Sequence, residues 1–135
     1  MIPYRLWRGA VAGLLLLTGA EALAQSVAVK SSVVAPFIGT WTFAMTNPAG
    51  SEQTVRIVDK NGVAAASLQI GKFPPVEITG IFKDGDVLVL TTTLRENGAP
   101  IWAVIALTLD GQSMNMAQML QRSQTIKRGS GQRVD

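Results

Sequence analysis

Gly39-Thr40-Trp41-Thr42-Phe43-Ala44-Met45-Thr46 is the stretch whose reading decides the fold. Its large apolar side chains, Trp41, Phe43 and Met45, fall at every second position, with threonines or a small alanine between them. A period of two belongs to a strand that lays one face on a core and turns the other to water, whereas a helix would repeat at three and four. Asn47-Pro48-Ala49-Gly50 follows, supplying a fixed φ and a permissive glycine, so the strand ends in a turn.

The same grammar runs downstream, with turn signals at intervals of roughly ten residues. Thr54 to Ile57 alternates, Asn61-Gly62 makes a tight turn, and Val63 to Ile70 returns with Ala64, Ala66, Leu68 and Ile70 on one face. Gly71-Lys72-Phe73-Pro74-Pro75 is a longer loop, because two prolines cannot both serve a ladder. Val76 to Phe82, Val87 to Leu94, Ile101 to Leu109, Ser113 to Gln118 and Ser123 to Arg128 complete the series, with Lys83-Asp84-Gly85-Asp86, Glu96 to Pro100 and Asp110-Gly111 between them. Short connections join sequential antiparallel neighbours, and closure removes the edges a flat meander would expose. The expected fold is all-β, an antiparallel up-and-down barrel of about eight strands over residues 37–129. Met114 to Leu120 is the run where helix propensity competes most with this reading.

Ahead of the barrel, Arg5 and Arg8 precede an apolar run centred on Leu14 to Leu17, and Ala22-Leu23-Ala24 has the small-x-small form of a cleavage site. Residues 1–24 therefore read as a Sec-type signal peptide cut after Ala24, and the protein is expected to be periplasmic or secreted. No transmembrane segment is expected in the mature chain, since Glu21 ends the run short of the ~20 residues a span needs. Residues 25–36 read as a flexible N-terminal segment and 130–135 as a disordered tail.

The chain contains neither cysteine nor histidine. Disulfides, thiol chemistry, the usual general base and the commonest metal ligand are thus all missing, and no cofactor or metal site is expected. Asp59, Asp84, Asp86, Glu96 and Asp110 lie in or beside glycine turns, while Glu52 and Glu77 fall on different strands facing water. No catalytic residue is assigned, and the expectation is a protein that is not an enzyme. The net charge of +3 becomes +2 without Arg5, Arg8 and Glu21, too small and too dispersed for a nucleic-acid partner.

Gly39-Thr40-Trp41 opening the first strand, up-and-down hairpins after it, and a terminal strand ending Lys127-Arg128-Gly129 resemble the calycin superfamily of lipocalins, fatty-acid-binding proteins, avidins and bacterial metalloprotease inhibitors. The resemblance implies that Trp41 packs across the closed end against a basic residue of the last strand, Arg128 or else Arg122, in a cation–π contact. A core aromatic with no such partner is the alternative. The avidin tryptophan set, the inhibitor disulfide and the later lipocalin motifs are absent, so the architecture alone carries over.

Two functions follow. A small apolar ligand could occupy a barrel lumen lined by Trp41, Phe43, Met45, Ile57, Phe82, Leu90, Ile105, Met114 and Met116, although the same residues could fill that lumen completely. Alternatively, the protein is an interaction module, an exported inhibitor or envelope-assembly component. Strands 87–94 and 101–109 are apolar on both faces, so Val87, Val89, Trp102 and Val104 are expected to form an interface for a second copy or a protein partner. Trp102 could instead face the lumen, with Ile101 and Ala103 outward.

Overall fold

A computed structural model describes residues 28–46 and 49–135, so the expected signal peptide lies outside the described residues. The described chain forms a 3-10 helix, Ser31–Phe37, followed by nine strands: β1 (Gly39–Thr46), β2 (Ala49–Lys60), β3 (Val63–Ile70), β4 (Val76–Glu77), β5 (Gly80–Asp84), β6 (Val87–Glu96), β7 (Ala99–Asp110), β8 (Ser113–Leu120) and β9 (Ile126–Arg133). Every ladder is antiparallel, and the order in the sheet is β4-β3-β2-β1-β9-β8-β7-β6-β5. This is the expected up-and-down all-β architecture, curled so that β1 pairs with β9. Met114 to Leu120 is strand, because its buried face, Met114, Met116 and Gln118, repeats at two.

There are nine strands rather than about eight because Val76 to Phe82 is broken in the middle. Its first half pairs with β3 and its second with β6, so the two edges of the sheet are consecutive pieces of one segment. Ile78 N donates to Ala66 O on one side, and Thr79 N donates to Thr91 O on the other. The hydroxyl of Thr92 donates to Glu77 O across the same junction at 2.7 Å. The break shifts the alternation by one residue, which sends the later side chains of this segment to the opposite face. Ile78 and Ile81 are therefore buried, and Phe82, expected in the lumen, faces outward at 43% exposure.

At one end the barrel is closed. The 3-10 helix buries Val34 and Phe37 over the core, held by Ser31 N to Gly62 O and Ala64 N to Val29 O, so residues 31–36 are not the flexible segment expected. Trp41 lies beneath, its indole N–H donating to Phe37 O at 2.9 Å. The cation over its ring is Arg133, with the guanidinium carbon 4.5 Å from the ring centroid. The same guanidinium donates to Ile38 O and Pro36 O. This corrects the expected partners. Arg128 pairs in register with Ala117 on the outer face, whereas Arg133 stands opposite Trp41; Arg122 lies in the β8–β9 loop at the other end.

The tail is structured as far as Arg133 for a steric reason. In register, Met45 faces Gly129 and Phe43 faces Gly131. A Cβ on Gly129 would come within 2.5 Å of Met45 Sδ, and one on Gly131 within 2.6 Å of the Phe43 ring, far inside contact distance. Gly129-Ser130-Gly131 is thus not a linker but the part of β9 that leaves room for β1's large side chains. Beyond it, Val134 N donates to Thr40 O, and the Asp135 carboxylate accepts from Thr40 N. Hydrogen bonding from Thr40 to the carboxylate, with the charge of Arg133, holds the Asp135 carboxyl below its ordinary 3.8.

Candidate functional site at the open end of the barrel

The inward positions of the strands fill the middle of the barrel. Trp41, Phe43, Met45, Ile57, Leu90, Ile105, Met114 and Met116 are all buried in one cluster with Val55, Leu68, Leu88 and Leu107. Eight of the nine lumen candidates are thus brought together, Phe82 being the exception, and they pack on one another as a core. Toward the open end the core turns polar. Gln53 and Gln118 face each other with reciprocal amide bonds, Gln118 Nε2 to Gln53 Oε1 at 2.8 Å and Gln53 Nε2 to Gln118 Oε1 at 3.3 Å. Gln118 is only 1% exposed, so this pair satisfies two carboxamides that burial would otherwise strand.

Above the pair the barrel opens. Among the described residues its rim includes the β3–β4 loop at 71–75, the β6–β7 turn at 97–98 and the β8–β9 loop at 121–125. Between them lies a cleft of ≈ 490 Å³ lined by Ile70, Phe73, Pro74, Val76, Leu94, Ile101 and Leu120, with Thr93, Arg95 and Glu96 at its edge. A second cleft of ≈ 480 Å³ shares Ile70 and Phe73, reaches Gln53, and is bordered by Glu52, Lys72 and Lys127. The volume suits a small molecule, and an apolar wall with a few polar groups at its margin is the usual composition of such a site. At the closed end, a cleft of ≈ 490 Å³ between Pro36, Trp41, Leu109, Gln112, Gln132 and Arg133 has a mixed lining.

Strand alternation placed Ile70 on one face with Leu68 but gave no sign of the cleft itself, since Ile70, Leu94 and Leu120 sit at or near strand ends and Phe73 lies in a loop. The available signal was the Gly71-Lys72-Phe73-Pro74-Pro75 connection, the least hairpin-like in the chain, with an aromatic at its centre. The interface candidates lie where expected, on the outer surface. Val87, Val89 and Val104 are half-buried, and Trp102 is 59% exposed while Ile101 and Ala103 are buried. Met119, next to Val104 in register, extends the apolar wall onto β8.

The carboxylates are dispersed. Asp59 accepts from Gly62 N and from the Ser31 hydroxyl, a structural use, while Glu52 on β2 and Glu77 on β4 are exposed. Among the described residues no group of three or more carboxylates could hold a metal ion, and no helix is long and apolar enough to cross a membrane. No protein-family model matches this chain, and no curated protein matches it. Among solved structures it is similar to a REP1-NXSQ fatty acid transporter, with 13% sequence identity over 75% of this chain and 98% of that one, at a TM-score of 0.44.

Proposed function

We propose that this is an exported, calycin-like β-barrel without catalytic activity that binds a small apolar ligand at its open end rather than deep in the lumen. The observation that carries the reading is the apolar cleft of ≈ 490 Å³ walled by Ile70, Leu94, Ile101 and Leu120, placed over a core already filled by side chains. Burial of an apolar ligand against such a wall supplies affinity, and the Gln53–Gln118 pair supplies a polar floor that orients it. Nile red fluorescence tests this. Leu94→Ser and Leu120→Ser should each weaken dye binding about tenfold or more, the scale of one lost leucine contact. Met119→Ser on the outer wall should leave it unchanged. Dye binding that ignores the cleft variants overturns the reading.

A second reading rests on a separate observation, the exposed indole of Trp102 amid Val87, Val89, Val104 and Met119 on the outer wall. Such a wall suits a second copy or a protein partner, the function of an interaction module.

A further inference from the structure

The barrel's charges are divided unevenly between its ends. Lys72, Arg95, Arg122, Lys127 and Arg128 surround the open end with only Glu52 and Glu96, five cations against two carboxylates, or +3. Around the closed end and the wall toward it, Lys30, Arg56, Lys60, Lys83 and Arg133 meet Asp59, Glu77, Asp84, Asp86, Asp110 and Asp135, five against six, with Glu77 in register with Arg56 across Ser67. The basic excess of the described barrel therefore belongs to the mouth.

The mouth also presents apolar groups to solvent. Phe73, 71% exposed, stands in the β3–β4 loop between Lys72 and Pro74. On the lip formed by the β8–β9 loop and the start of β9, Ile126 is 41% exposed between Arg122 and Lys127 in the chain. Apolar side chains on a rim of cations combine the two weak signals, insertion and electrostatic attraction, that together hold a protein at a lipid surface. We propose that the open end docks on an anionic lipid surface, with Phe73 and Ile126 entering the headgroup layer and the cleft opening onto the bilayer. The closed end, which has no basic excess, points away. Docking goes beyond the cleft reading and is tested apart from it.

Protein recovered from the extracytoplasmic fraction should co-sediment with vesicles of phosphatidylglycerol and phosphatidylcholine in equal parts, and not with phosphatidylcholine alone. Added salt should release it, because surface attraction decays within about 10 Å at 0.1 M. Lys72→Glu/Arg122→Glu should lower partitioning roughly 30-fold or more, at about fivefold for each cation. Phe73→Ser should weaken it too, and Lys60→Glu/Lys83→Glu, with the same change of net charge at the closed end, should not. Equal binding to phosphatidylcholine, equal damage from the closed-end reversal, or no co-sedimentation overturns the proposal. Nile red separates the two readings: a mouth-reversed protein that still takes the dye has lost docking alone, and a protein that docks without taking dye overturns the cleft reading and leaves docking standing.

Discussion

Gln53 and Gln118 are the residues at which the interior stops being hydrocarbon. Each amide offers donors and an acceptor, and the reciprocal pair uses one of each kind from both partners. Removing one partner strands the other, so Gln118→Leu should destabilise the fold by about 1–3 kcal/mol in urea melts. Replacing both should recover much of that loss, since two leucines leave no orphan amide; a double variant less stable than Gln118→Leu would show that the pair does not act as a unit. Trp41 and its cation show what the chain does and does not disclose at this scale. That Trp41 sits in the core follows from its spacing with Phe43 and Met45. Its partner did not follow, because reaching Arg133 depends on the parity and length of β9, and residues 130–135 read as a disordered tail until Phe43 is seen to need the missing side chain of Gly131.

Among the elements, β6 and β7 are the pair whose sequence breaks the polar alternation of an exposed sheet. The cause is now visible: Leu88, Leu90, Ile105 and Leu107 serve the core, while Val89, Val104 and Trp102 lie outside. If the outer wall joins two copies, Trp102→Ala should weaken the dimer by about 2 kcal/mol or more, as loss of an aromatic anchor does. The unfolding midpoint should scarcely move, because the exposed indole adds little to the core. Light scattering showing a monomer before mutation would exclude self-association by this wall. Strand positions were legible from alternation and turn residues for most elements, but the last strand, expected over Ser123 to Arg128, runs from Ile126 to Arg133. The Val76 to Asp84 segment was not legible, because its change of partner from β3 to β6 is dictated by closing the sheet, which leaves no local pattern.

For the molecule as a whole, the expected address precedes the barrel. The extracytoplasmic form should begin at Gln25, and N-terminal sequencing that returns Met1 would remove the export reading. The barrel itself was legible as a whole, whereas the cleft was not, since a site made where strands end depends on how far each one runs. One arrangement has a consequence in time. Most ladders join neighbours along the chain and can zip locally, but β1 finds β9 only after everything between them has been threaded round, as in the pairing of Trp41 with Arg133. Contacts so distant in sequence carry a loop-closure cost that local ones do not, and chains dominated by them reach the native state slowly, over about milliseconds to seconds. Until that seam shuts, β1 has an unmatched edge with Trp41, Phe43 and Met45 beside it. The interval before closure is therefore when two chains would most readily pair in error.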